Sequence, residues 1–147
     1  HEERAARKFG GGAPWKGGEG SAGRLRRFAG RRVRAAVERI MDYFGRVDIL
    51  LNDAGVAVPG GVETLTAEEW DRSMDINVRG MFLMCKYVVP HMRERRYGKI
   101  VNISSVNATL ADKVPELWRH AYNASKAAVK GIDRRDGWLP MQRTTSR

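Results

Sequence analysis

The sequence predicts an α/β fold, a parallel sheet with crossover helices, and three observations carry that expectation. Two short β-rich apolar runs, at 47–51 and 99–104, have the length of buried parallel strands. Segments with helical periodicity alternate with them in the order helix, strand, helix, strand, helix. The chain has 147 residues, 42% apolar and 30% charged, which is material for one packed core and one domain.

Residues 1–32 hold eight of the sixteen glycines and show no apolar period, so this Gly/Arg-rich segment is expected to be disordered. From Val33 the pattern changes. Val33, Ala36, Val37, Ile40, Met41 and Phe44 form the stripe of an amphipathic helix, and Gly45 is placed to end it. Val47 to Leu51 is the first strand, closed by Asn52-Asp53-Ala54-Gly55. Thr66 and Glu69 spell a capping box and open a helical region reaching about Arg96, with Gly80 and Pro90 as bends or breaks. Gly98 precedes the second strand, Lys99 to Ser104. Beyond a loop containing Pro115, a last helix is predicted over about 120–132, followed by an irregular tail over 133–147. The expected domain is therefore 33–132, between two segments foreign to its rhythm.

The net charge of +10 is unevenly placed. Residues 1–34 carry ten Lys/Arg against three acids, residues 133–147 four against two, and residues 35–132 thirteen against twelve. The basic character belongs to the ends, which places a nucleic-acid-binding module last among the functional readings. No apolar run approaches the roughly 18 to 20 residues of a membrane span, and no signal-peptide pattern opens the sequence, so a cytoplasmic protein is expected. Cys85 is the one cysteine, and His1, His91 and His120 have no metal-ligand spacing around it, which excludes a disulfide scaffold or a zinc module. Its apolar neighbours make Cys85 a buried small hydrophobe.

Gly18-Glu19-Gly20-Ser21-Ala22-Gly23 satisfies the Gly-x-Gly-x-x-Gly spelling of a dinucleotide loop, but Pro14-Trp15-Lys16-Gly17 before it is no buried strand. It reads as a chance spelling. Tyr122-Asn123-Ala124-Ser125-Lys126 is more informative, because it sets a phenol and an ammonium one helical turn apart on one face. A cation held near a phenol favours its ionised form and makes it a usable acid or base. Ser104 and Ser105 end the second strand at the edge where open parallel sheets bind ligands. Asn77 is a polar amide in an otherwise apolar helix entry, suited either to bending the helix through a backbone hydrogen bond or to anchoring water for a proton relay.

With these residues the chain resembles the short-chain dehydrogenase/reductase family over about 33–132. Asn52-Asp53-Ala54-Gly55 is similar to its Asn-Asn-Ala-Gly motif, Asn77 to its active-site asparagine, Asn102-Ile103-Ser104-Ser105 to its serine segment, and Tyr122 with Lys126 to its Tyr-x-x-x-Lys. The resemblance implies a Rossmann-like fold and an oxidoreductase that moves hydride between NAD or NADP and a small-molecule alcohol or carbonyl substrate. It implies Tyr122 as general acid/base, Ser105 orienting the substrate oxygen, and Lys126 lowering the tyrosine pKa and binding the nicotinamide ribose. Asn77 would support the proton relay, and Asn52, Ala54 and Gly55 would lie on the cofactor side. The helices over about 67–96 and 120–132 resemble those through which the family forms homo-oligomers.

Three departures accompany the likeness. Asp53 puts an acceptor-only carboxylate where the family has an amide. Ser105 and Tyr122 are 17 positions apart, an enlarged spacing assigned to Lys113 through Trp118, in a loop of the kind that lines substrate pockets. The family's Thr-Gly-x-x-x-Gly-x-Gly turn and its first three strands have no counterpart in 1–32, nor its last strands after Ile132. The sequence therefore reads as the middle of an incomplete fold, and the alternative function is a catalytically inactive fragment unable to bind dinucleotide.

Overall fold

The structure, a computed structural model, describes residues 21–110 and 113–132. Helix α1 spans Ser21–Phe44, strand β1 Ile49–Asn52, helix α2 Ala67–Met74, helix α3 Met81–Glu94, strand β2 Lys99–Asn102 and helix α4 His120–Ile132. A π-helical segment, Asp75–Gly80, joins α2 to α3, and short 3-10 turns cover Val106–Ala108 and Pro115–Leu117. The predicted tail over 133–147, the Gly-rich stretch 1–20 and the chance glycine spelling up to Gly20 lie outside the described residues.

β1 and β2 pair in parallel, with Ile49 opposite Lys99 and Asn52 opposite Asn102. The strands are shorter than the predicted runs, but the ladder continues one bond past each end: Lys99 N donates to Asp48 O at 2.9 Å and Ile103 N to Asn52 O at 3.0 Å. Helices pack on one side of this pair. Val37 of α1, Leu50 of β1, Met81, Cys85, Val88 and Met92 of α3, and Val129 of α4 form one buried cluster. Alternation along each strand sends Ile49, Leu51, Val101 and Ile103 to the opposite face, where they are 40–65% exposed.

α1 begins at Ser21, twelve residues before the Val33 at which the sequence pattern starts the helix, and so takes in 21–32 of the segment expected to be disordered. Arg, Ala and Leu are strong helix formers and extend a helix already held by its downstream half. At its other end Gly45, at φ +70°, closes α1 through a bond from its N–H to Met41 O at 2.8 Å. The capping box forms as spelled: Thr66 Oγ1 accepts from Glu69 N at 3.1 Å and Glu69 Oε2 from Thr66 N at 2.9 Å. Helical winding then runs without a break from Ala67 to Glu94. Gly80 ends the π segment, whereas Pro90 stays inside α3 at an exposed position, where water can serve the carbonyl its ring leaves unbonded.

After α3 the chain reverses on Arg96, at φ +53°, and Tyr97 N donates to Met92 O at 3.0 Å. The basic cluster at this helix end is more than a solvated cap. Arg95 Nη2 reaches Asp48 Oδ1 at 3.1 Å, and Arg46 Nε meets Asp48 Oδ2 at 2.9 Å, clamping the approach to β1 against the end of α3. Desolvation pushes the Asp48 carboxyl up, but the hydrogen bonds and charges of Arg95 and Arg46 outweigh it, leaving a pKa below the ordinary carboxylate value.

Candidate functional site

The site lies where the end of the sheet, the π segment and the first turns of α4 converge. Asn77 is 3% exposed and spends its amide on the loop that leaves β1. Its Oδ1 accepts from Val56 N at 2.7 Å, and its Nδ2 donates to Val56 O at 2.8 Å and to Ser125 Oγ at 2.8 Å. The amide bonds backbone of another element and not its own helix. The π winding around it is the bend, one of the devices by which helices re-aim residues near functional sites.

Ser125 is fully buried on α4 and donates from its hydroxyl to Tyr122 O at 2.7 Å. One residue further, Lys126 is 5% exposed and donates from Nζ to Ile103 O at 2.7 Å. The ammonium lies 5.6 Å from the centroid of the Tyr122 ring, as the one-turn spacing on α4 dictates. Tyr122 is partly exposed, and its hydroxyl has no hydrogen-bond partner among the described residues. Ser104 Oγ donates to Lys126 O at 3.0 Å, pinning the end of β2 to the same helix.

Gly55 faces this group closely. A Cβ at that position would lie 3.3 Å from Asn77 Oδ1 and 3.7 Å from Lys126 Nζ, so a side chain there would occupy the space beside the ammonium. Ala54 and Asp53 are exposed on the same turn. Asn52 turns the other way. Both its amide hydrogens are used inside the fold, Nδ2 donating to Asn102 Oδ1 at 2.8 Å and to Cys85 Sγ at 3.4 Å. Cys85 is fully buried, as its neighbours predict.

Ser105 is engaged in its own turn. Its Oγ accepts from Asn107 N and donates to Asn107 Oδ1, both at 3.2 Å, capping the 3-10 turn that packs on α4. To donate to a substrate oxygen it would exchange Asn107 Oδ1 for that oxygen, a swap of like for like. The enlarged loop before Tyr122 is latched to the loop after β1: Gly60 N donates to Trp118 O at 2.7 Å, and His120 N to Gly60 O at 3.1 Å. Val62 N donates to His120 Nδ1 at 3.0 Å, and the His120 ring stacks on Trp118 at 5.3 Å.

The structure thus gathers Asn77, Tyr122, Lys126 and Gly55, sets Ser105 on the adjoining turn, and points the Asn52 amide inward. Ser125 and the Val56 backbone are the participants the sequence did not signal. Ser125 stands inside the Tyr-x-x-x-Lys motif, and its place three residues after Tyr122, on the buried side of α4, was the available clue.

Comparison with known proteins identifies the family. The family profile described as short chain dehydrogenase matches residues 29–135, and the chain belongs to that family. The 3-ketodihydrosphingosine reductase of Bacteroides thetaiotaomicron is 44% identical over 99 residues, covering 67% of this chain and 35% of that protein. D-threitol dehydrogenase of Mycolicibacterium smegmatis is 44% identical over 103 residues, covering 69% of this chain and 38% of its own. The solved structure of ElxO with NADP bound is 29% identical with a TM-score of 0.63, over 70% of this chain and 40% of ElxO. The chain therefore spans little more than a third of the curated relatives it matches. A Rossmann-like α/β fold is shared with the solved structures, and no helix among the described residues is long and apolar enough to cross a membrane.

Proposed function

We propose that this chain carries the proton-handling part of an NAD(P)-dependent oxidoreductase acting on a small alcohol or carbonyl compound in the cytoplasm. The observation that carries the reading is the buried Lys126 ammonium, held by Ile103 O, 5.6 Å from the ring of a Tyr122 whose hydroxyl is unbonded among the described residues. The glycine at 55 leaves open the space beside Lys126 Nζ and Asn77, which supports room for the nicotinamide end of a dinucleotide there. Gly55, Ala54 and Lys126 would hold the nicotinamide end, and the dinucleotide supplies the hydride when bound. In the reductive direction Tyr122 gives its phenolic proton to the substrate oxygen, and Ser105 donates a hydrogen bond to that oxygen. Oxidation of an alcohol reverses these steps. Asn77 fixes the loop beside Gly55 through Val56 and so keeps the space for the nicotinamide end in shape.

The test is NADH and NADPH oxidation by the purified chain across a panel of aldehydes and ketones. Turnover that drops about a hundredfold or more in Tyr122→Phe supports the assignment. Turnover indifferent to that change removes it. A second reading, a fold that holds these residues but no dinucleotide, draws on the inward-turned Asn52 amide. Quenching or enhancement of NADPH fluorescence on titration with the chain decides against it.

A further inference from the structure

Between the turn beside Gly55 and the helix that bears Tyr122 runs one continuous hydrogen-bonded path. It starts at Val56, whose N–H and carbonyl both bond the Asn77 amide. From Asn77 Nδ2 it passes to Ser125 Oγ, and from that hydroxyl to the carbonyl of Tyr122. Each link is 2.7 or 2.8 Å long. Asn77 and Ser125 are both buried, so water does not compete for them.

The hydroxyl at 125 is used in both senses. It accepts from Asn77 and donates to Tyr122, and among small side chains only the hydroxyl of Ser or Thr does both with comparable strength. Alanine would fill the volume and leave two groups short: one Asn77 amide hydrogen and the Tyr122 carbonyl's extra bond. Serine is a poor choice for a helix interior on propensity alone, which makes its full burial in the second turn of α4 informative.

We infer that Ser125 is a positioning residue, which fixes the Tyr122 backbone relative to the turn beside Gly55 by relaying the Asn77 amide to the Tyr122 carbonyl. The inference rests on the reading of Tyr122 as the proton donor, and it adds how that donor is held at a set place. Tilting the first turns of α4 by a fraction of an ångström would move the phenol relative to Lys126 and Gly55, and displacements of that order reduce turnover steeply.

The test uses the full chain labelled with 3-fluorotyrosine, whose four tyrosine resonances are assigned by single Tyr→Phe changes. In Ser125→Ala the fluorine resonance of Tyr122 shifts or broadens, while those of Tyr43, Tyr87 and Tyr97 stay in place. Adding Asn77→Ala to Ser125→Ala moves it little further, because the path is already cut. A folded Ser125→Ala chain with an unmoved Tyr122 resonance overturns the inference. Should that variant fail to fold, the unmodified chain decides: slow exchange of the Asn77 side-chain amide protons with NOEs to the Ser125 Hβ protons supports the relay, and fast exchange overturns it.

NADPH turnover with 4-nitrobenzaldehyde is the separate readout. Where Tyr122→Phe suppresses turnover, Ser125→Ala lowers kcat about tenfold with KM for NADPH unchanged. Where Tyr122→Phe changes nothing, the catalytic reading of Tyr122 falls, and the fluorine result still decides whether Ser125 places it.

Discussion

Lys126 Nζ donates to the carbonyl of Ile103 at 2.7 Å, so a charged side chain on α4 is tied to the backbone just past β2. Among the described residues no carboxylate pairs with this ammonium, although it is 5% exposed. A buried charge with a single neutral acceptor costs stability and is retained for what the charge does. Lys126→Met, which keeps the length and removes the charge, is expected to leave the unfolding free energy from urea denaturation unchanged or raise it by roughly 1 kcal/mol. NADPH-dependent turnover should fall in the same variant. An unfolding free energy lowered by about 3 kcal/mol or more would show that the ammonium stabilises the fold.

Gly98 lies against Met92. A Cβ there would stand 2.5 Å from both Met92 Cγ and Sδ and 2.9 Å from Met92 Cβ, and Met92 is fully buried. Gly98→Ala is expected to destabilise by about 1–3 kcal/mol through overpacking. Pairing it with Met92→Ala should cost less than the sum of the two single changes, since each makes room for the other. Additivity in a urea-denaturation cycle would refute the contact.

The Asp48 carboxyl, its pKa lowered in the fold, implies a definite sign for pH dependence. A group with a depressed folded pKa adds stability above its unfolded value, ordinarily 3.8, and loses it as pH falls through the folded value. Asp48→Asn should therefore lower the urea midpoint slightly at pH 7, and the gap from the parent should close as pH falls below about 4. Added salt should narrow the gap at pH 7, because the partners Arg46 and Arg95 are solvent-accessible. A gap that widens toward low pH would contradict the assignment.

Thr66→Ala removes the oxygen that caps α2 and should destabilise by about 1 kcal/mol, whereas Thr66→Ser should retain most of the stability. Thermal unfolding followed by circular dichroism checks the difference. Equal melting temperatures for the two variants would show that the capping bond contributes nothing.

Features written in adjacent residues were legible in the sequence. The Thr66 and Glu69 box, the bounds of α4, the burial of Cys85 and the one-turn spacing of Tyr122 and Lys126 each depend on positions within four or so of one another. The start of α1 was not legible, because glycines dilute the apolar period upstream of Val33. Nor were the bonds that assemble the site. Asn77 reaches Val56 across 21 residues and Ser125 across 48, and the first of these ends on backbone, which has no side-chain signature. The Asp48 to Arg95 bond spans 47 residues, and the basic cluster alone suggested only a solvated helix end.

The exposed stripe of Ile49, Leu51, Val101 and Ile103 makes the folding equilibrium of this chain open-ended. Anything that covers the stripe in the folded state and ignores the unfolded chain draws the equilibrium toward folding by mass action, in proportion to the logarithm of its free concentration. A melting temperature for this protein thus has meaning only alongside the concentrations of the chain and of whatever shares its solution. Detergent or a dye such as ANS belongs in that reckoning as much as any biological partner.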